Sequence, residues 1–416
     1  MRLQSRSAGF IPQSGQMRWG WGLLLRRWGE SEFCRMNAAL RATKQRLTRM
    51  VFPQRMGSGF MRYLSVTRVM SVLSLTLAAG CSTTPRPGTL EARQGDEIVV
   101  AGQFFHTGTP VVLWMDPGGY DAYRVERRFS PLEKADWKHT QEETKELNTP
   151  NRYNLRNAGL TEEELARVRG GGWDLPLLQK VVDQFVIHFD VCGTSRQCFN
   201  ILHDHRGLSV HFMLDLDGTI YQTLDLKERA WHATIANGRS VGIEIANMGA
   251  YPVGGENPFG DWYETTTNGH TQLKLPAPLG DGGIRTKGFV GRPARPQPIE
   301  GRIQGDNLVQ YDFTPEQYAA LTKLTATLCR VFPRIKCDYP RDADGKLIAQ
   351  KLPDEELKEY HGVLGHFHVQ TNKNDPGPAF QWDYVIDHAR LLMNGGISEA
   401  VDQTSHGHMR RQLVNE

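Results

Sequence analysis

Fourteen histidines stand in this chain, and a few of them have the company that chemistry requires. His188 lies within the apolar run Phe185-Val-Ile-His-Phe189; His211 and His232 follow, and His361, His366 and His368 crowd just ahead of Asp375-Pro-Gly-Pro-Ala-Phe380. A single histidine in a strand is ordinarily structural. An early histidine that a fold can bring to a distant histidine and an aspartate is a different matter, because a catalytic zinc takes three protein ligands and keeps a fourth position open for water. His106, His139, His270, His406 and His408 lie in irregular or terminal stretches and are assigned no role. Cysteine offers a second chemistry. Four of the six form close pairs, Cys192 with Cys198 and Cys329 with Cys337, which in an oxidising compartment are expected to be disulfides. The two-residue spacing usual in a four-cysteine zinc site is absent. A cysteine hydrolase using Cys192 beside His188 would need the thiolate that pairing with Cys198 removes.

The elements that must position these residues read as α/β. A helix-like stretch over residues 177 to 184 leads into the strand holding His188. Strands over residues 211 to 215 and 219 to 223 flank Leu216-Asp217-Gly218, where Asp-Gly marks a tight turn. Ser240-Val-Gly-Ile-Glu-Ile-Ala246 reads as a buried strand exposing one acid, Glu244, with Gly242 leaving room beside it. Glycine and proline are dense over residues 251 to 307, so this stretch reads as an insertion or long loop and a candidate cleft wall. Thr314-Pro315-Glu316-Gln317 opens a helix with an N-cap, a first-turn proline and a capping-box glutamine, running to about Val331. A last helix spans residues 382 to 393 and stops at Gly395 and Gly396. Earlier, residues 91 to 172 hold short β-like stretches at 97 to 101 and 110 to 114. They also hold a helix opened by Thr161, with Glu164 placed for a capping box. No internal repeat is present.

Composition bounds the possibilities further. The chain has 416 residues, 39% hydrophobic and 23% charged, which is globular and enough for one large domain or two smaller ones. Its formal charge of +3 hides a split: residues 1 to 80 carry 13 Lys and Arg against two acids, whereas the remainder has 36 basic and 44 acidic residues. An acidic body argues against nucleic acid as a partner. At the boundary, Arg62 and Arg68 precede the apolar run Val69 to Leu77, which ends in Ala78-Ala79-Gly80-Cys81. A run too short to span a bilayer, with basic residues before it and small residues after it, is an export signal. Small residues immediately before a cysteine resemble a lipobox, making Cys81 the expected lipidated first residue. Met61 or Met56 then fits as the initiator better than Met1, and residues 1 to 60 read as a mis-assigned start or leader. Ser82, in place of an aspartate after the lipidated cysteine, points to the periplasmic side of the outer membrane.

A set of motifs carries a resemblance. Val186-Ile-His188, Leu208-Ser-Val-His-Phe212, Asp217-Gly-Thr-Ile-Tyr-Gln222, Arg229-Ala-Trp-His-Ala233, Ser240-Val-Gly-Ile-Glu244 and Gly365-His366 through Lys373-Asn-Asp-Pro-Gly-Pro-Ala-Phe380 resemble, in order, the motifs of type-2 N-acetylmuramoyl-L-alanine amidases. Animal peptidoglycan recognition proteins share that fold, and the Cys192 to Cys198 spacing looks like their short disulfide loop. The resemblance covers about residues 180 to 395, roughly half the chain. It implies a central mixed β-sheet flanked by helices, with an N-terminal extension and a loop insertion added.

The resemblance also implies roles. Zinc would be held by His188, His366 and Asp375. Glu244 would serve as general base and Lys373 would stabilise the oxyanion. Trp231 and His232 would line the substrate groove, the alternative being a core tryptophan with a satisfied histidine. His211 would be a structural neighbour of the metal, bonding a ligand or backbone, while His203 and His361 would cap or cover helices. His366 and Asp375 stand nine positions apart, one fewer than the resemblance leads one to expect. His368, on the same side of a strand as His366, is therefore a competing ligand. The expected reaction is hydrolysis of the amide between N-acetylmuramic acid and L-alanine in peptidoglycan or muropeptides, by a monomer lipid-anchored through Cys81. The alternative is a non-catalytic peptidoglycan-binding module of the same fold. The chain divides accordingly into leader (1–60), signal peptide (61–80), tether (81–95), extension (96–172), zinc amidase domain (173–396) and flexible tail (397–416).

Overall fold

The computed structural model describes residues 86–145 and 147–395. Residues 90 to 395 belong to one compact unit. The signal peptide, Cys81 and the tail lie outside the described residues. Among those described, no helix is long and apolar enough to cross a membrane.

A six-stranded mixed sheet organises this unit, in the order Gly362–Gly365, Gln184–Phe189, Ser240–Ile245, Phe212–Leu214, Ile220–Gln222, Val111–Leu113. The first four are mutually parallel; Ile220–Gln222 runs antiparallel to Phe212–Leu214 and parallel to Val111–Leu113. The edge strand thus comes from the extension. Alternation decides which face each residue serves. Phe185, Ile187, Val241, Ile243 and Ile245 point into the main core, where they meet Tyr318, Leu321, Leu324 and Leu328 of the helix Pro315–Val331 and Val385 and Ile386 of the helix Trp382–Met393. The intervening residues, including His188 and Glu244, take the opposite face. Parallel pairing aligns His188 with Glu244 and Ile187 with Gly365. His188, Glu244 and His366, which follows Gly365, are thereby gathered at the carboxyl ends of three adjacent strands, where ligands bind in open α/β sheets.

Local chemistry sets the ends of the supporting helices. Thr314 Oγ1 accepts from Gln317 N–H at 3.1 Å while Gln317 Oε1 accepts from Thr314 N–H at 2.9 Å, completing the capping box. Gln317 Nε2 also donates to Ala246 O at 2.8 Å, tying the helix to the strand of Glu244. The Thr161–Glu164 box forms as well. The helix expected over residues 177 to 184 instead occupies Leu175–Val181, because Asp174 caps it by accepting from Leu177 N–H and Pro176 occupies the first turn.

The insertion is more ordered than its composition suggests. Ala250–Pro252, Asp306–Gln310 and Ile299–Ile303 form a three-stranded sheet, and Tyr263–Thr265 pairs with Thr271–Leu273. Ile303 pairs with Asp306, leaving a two-residue loop in which Gln304 and Gly305 both have positive φ, 55° and 91°, as a tight primed hairpin turn demands.

Cys192, Cys198, Cys329 and Cys337 are thiols in this structure, each beside the partner that the sequence paired with it, Cys192 next to Cys198 and Cys329 next to Cys337. The Cys192 Sγ–H is turned to the Asp190 carbonyl at 2.9 Å, and the Cys337 Sγ–H faces the Ile386 carbonyl at 3.8 Å.

Candidate metal centre

Across 187 positions of sequence, His188 Nδ1 lies 2.8 Å from Asp375 Oδ2. His366 Nδ1 is 2.9 Å from His188 Nδ1 and 3.0 Å from the same aspartate oxygen. The three ligand atoms form a tight, buried triangle. Outer hydrogen bonds decide what they offer. His366 Nε2 donates to Gln370 Oε1 at 2.7 Å, so in the neutral form that binds metal the imidazole would leave its Nδ1 bare. His188 Nε2 faces His232 Nδ1 at 3.0 Å, and His232 Nε2 faces Ser240 Oγ at 3.2 Å. Protons placed outward along that chain leave His188 Nδ1 bare too. Two imidazole lone pairs and a carboxylate oxygen within 3.0 Å repel one another unless a cation stands among them. An N2O set is the donor chemistry that zinc takes.

Charge states agree. Burial, then the neighbouring His366, pushes His188 down to about 4. Burial and His188 hold His232 well below the usual imidazole value. Burial alone would raise Asp375, but His366 and His188 together keep it below the ordinary carboxylate range. A neutral His188 and an ionised Asp375 are in the forms that bind metal.

A cavity of about 400 Å³ opens beside the triangle, and Glu244, Lys373 and Trp231 line it. Burial, then the carboxylates of Asp375 and Asp190, push Glu244 well above the usual carboxylate value, and its Oε2 has no hydrogen-bond partner among the described residues. A carboxylate so placed is suited to take up a proton. The Lys373 ammonium is felt electrostatically at both Glu244 and His188. Gln304, at the tip of the insertion hairpin, and Asp306 also line the cavity, so the insertion borders the cleft.

Several expectations change in detail. The strand stops at Gly365, and His366–His368 form a turn. His368 is fully buried beside Phe367 and Trp382, with its Nδ1 accepting from Gly365 N–H at 2.9 Å. It therefore does not compete as a ligand. His232 borders the cavity, but both of its nitrogens are engaged behind His188 rather than offered to substrate. Gly242 makes room for that ring rather than for Glu244, since a Cβ there would meet His232 at 2.5 Å. His211 bonds backbone, one of the two partners expected for it: its Nδ1 accepts from Gly242 N–H at 3.1 Å and its Nε2 lies 3.0 Å from Glu228 O and 2.9 Å from Arg156 Nη2. His361 bonds Asp183, and His203 stacks on Phe199 while bonding Asp204.

Sequence reasoning missed Ser240, Gln370 and Gln304. Ser240 was findable, since it shares a strand face with Gly242 and Glu244. Gln370 stands four residues after His366, a local signal of weaker kind. Gln304 Nε2 donates to Phe367 O at 2.8 Å and Gln370 O at 2.9 Å, a long-range contact that left no local trace.

Residues 178–378 match a family model described as N-acetylmuramoyl-L-alanine amidase. No curated protein matches the chain. Among solved structures, an AmpD derivative is 16% identical, with 57% of this chain and 89% of that one covered, at a TM-score of 0.26. AmiD from E. coli, solved with the substrate anhydro-N-acetylmuramic acid-L-Ala-D-gamma-Glu-L-Lys, is 17% identical over 50% of this chain and 57% of its own, at 0.28. AmiA from Staphylococcus aureus is 11% identical over 59% and 98%, at 0.29. Likenesses of this size carry no argument.

Proposed function

Because residues 178–378 belong to the N-acetylmuramoyl-L-alanine amidase family, we propose that the chain is a zinc-dependent amidase. It cleaves the bond between the lactyl carbonyl of N-acetylmuramic acid and the L-alanine of the stem peptide, in peptidoglycan or muropeptides. One observation carries this reading: the buried triangle of His188, His366 and Asp375 shares its cavity with Glu244, whose Oε2 is unpartnered among the described residues and whose pKa is raised. His188, His366 and Asp375 would hold the zinc, which when bound supplies Lewis acidity toward the scissile carbonyl and a water molecule. Glu244 takes a proton from the attacking water at its carboxylate. It returns that proton to the alanine nitrogen as the C–N bond breaks, leaving a lactyl carboxylate and a free amine. Lys373 places positive charge where the carbonyl oxygen gains negative charge. Trp231 offers an aromatic face to the sugar or peptide.

Against a binding-only module stands the complete ligand set with Glu244 and Lys373. Against a cysteine hydrolase, burial first of all pushes the Cys198 thiol well up, and no histidine hydrogen-bonds either Cys192 or Cys198 among the described residues. We place the protein on the periplasmic side of the outer membrane, anchored at Cys81, on the strength of its sequence signal. The test is digestion of intact sacculi and of anhydro-muropeptides side by side. Free stem peptide with an N-terminal alanine is expected, lost in chelator and restored by zinc. A metal-free protein that binds cell wall without cutting it would overturn the proposal.

A further inference from the structure

Arg156 is 0% exposed. It lies N-terminal to the family match, in the extension, and donates to four carbonyls: Nε to Leu226 O at 2.9 Å, Nη1 to Asn237 O and Gly238 O at 3.2 Å each, and Nη2 to Ser240 O at 2.8 Å, with Nη2 also 2.9 Å from His211 Nε2. Burial lowers it to about 9, so it remains charged at neutral pH. A guanidinium taken out of water without a bonded carboxylate is costly, and the structure that bears this cost is the wall of the active site.

The four carbonyls bracket the segment from residue 226 to residue 240, which contains Trp231 and His232. Within it, Asn237 Oδ1 accepts from His232 N–H at 3.1 Å and Ala233 N–H at 2.6 Å. Ser240, whose carbonyl Arg156 holds, accepts at its hydroxyl from His232 Nε2. His232 in turn holds His188. Immediately before Arg156, the strand Tyr153–Leu155 pairs antiparallel with Glu228–Ala230, which ends just ahead of Trp231. The exposed Asn154 accepts from Trp231 Nε1 at 3.1 Å and from Arg229 Nη1 at 3.0 Å.

We propose that the segment Asn154–Arg156 is part of the active site, with Arg156 a positioning residue that fixes His232, and through it the ligand orientation of His188, while Asn154 fixes Trp231. This rests on the amidase reading. It assigns the extension a task in zinc affinity and substrate binding.

The full chain carrying Arg156→Lys or Asn154→Ala is compared with wild type for zinc affinity by chelator competition, for kcat and KM on muropeptide, and for thermal melting. Lysine keeps the charge but replaces the planar fork of five donors with a point. Arg156→Lys is expected to weaken zinc binding roughly ten- to hundredfold, the range for groups that orient metal ligands, and to lower kcat while KM moves little. Asn154→Ala is expected to do the opposite, raising KM several-fold at unchanged zinc affinity. Wild-type zinc affinity in a folded Arg156→Lys overturns the proposal, as does an unchanged KM in Asn154→Ala. Should Arg156→Lys not melt cooperatively, Ser240→Ala replaces it, removing only the hydroxyl that faces His232, and unchanged zinc affinity there overturns the proposal equally. Variants matching a wild type that binds zinc and cuts muropeptide sink this proposal alone. A wild type that does neither ends the amidase reading and this proposal with it.

Discussion

Glu244, proposed as the general base, shows how burial and neighbouring carboxylates shift an ordinary carboxyl. Its raised pKa places the acidic limb of kcat/KM above the usual glutamate value of 4.5: activity falls as pH drops and Glu244 becomes protonated. Glu244→Gln should keep zinc, lose turnover by on the order of 10²- to 10⁴-fold and abolish that limb. Wild-type rates would remove Glu244 from the chemistry. The same shift has a stability consequence. A carboxyl whose folded pKa exceeds its unfolded one favours the fold below the unfolded pKa and loses that contribution as pH rises through the folded value. The metal-free Glu244→Gln protein should therefore melt higher than metal-free wild type at pH 8, with the gap closing toward pH 4; a constant gap would contradict the assignment. Lys373→Met should lower kcat by roughly 10²- to 10³-fold with zinc retained, the usual loss for one oxyanion-stabilising group. At this scale the sequence was informative because His188, Glu244, His366 and Asp375 all sit in recognisable motifs. His232 was harder to read, since its role depends on which ring nitrogens are engaged, and that is settled by Ser240 and His188 together.

Among elements, legibility followed locality. The helices opened by Thr161 and Thr314 were readable from capping residues three positions apart, and the strand of Glu244 from its alternation. The insertion was not readable, because its strands pair across long intervals, Tyr251 with Val309 for example, and dense Gly and Pro hid the period. The hairpin tip at Gln304 has a positive φ on a non-glycine residue, a conformation that surrounding contacts must hold. Its side chain supplies them by bonding the turn that carries His366. Gln304→Ala should cost about 1–3 kcal/mol of stability and weaken zinc binding, whereas Leu324→Ala, in the core on the opposite face of the sheet, should cost about 2–5 kcal/mol with zinc affinity unchanged. Chelator competition and thermal melting together separate the two. Equal effects on zinc would mean that the hairpin is only structural.

At the scale of the whole molecule, the expected domain of residues 173 to 396 contains the matched residues 178–378, but the sequence did not reveal what residues 96 to 172 do. Val111–Leu113 completes the main sheet and Arg156 bonds carbonyls some 70 to 84 positions away; acceptors on backbone leave no signature in side-chain identity. The cysteine pairs were legible because proximity in sequence does place Cys192 beside Cys198 and Cys329 beside Cys337. Export itself is open to a separate check: fatty-acid labelling of the full chain in cells should be lost in Cys81→Ser, and labelling that persists would exclude Cys81 as the anchor. The account stands on the metal triangle, and the most direct measurement is zinc stoichiometry and amide hydrolysis followed in parallel for wild type and His188→Ala. One tightly held zinc per chain with activity, both absent in His188→Ala, is the predicted result; zinc retained at wild-type affinity in His188→Ala, or full activity in a zinc-free wild type, would contradict it.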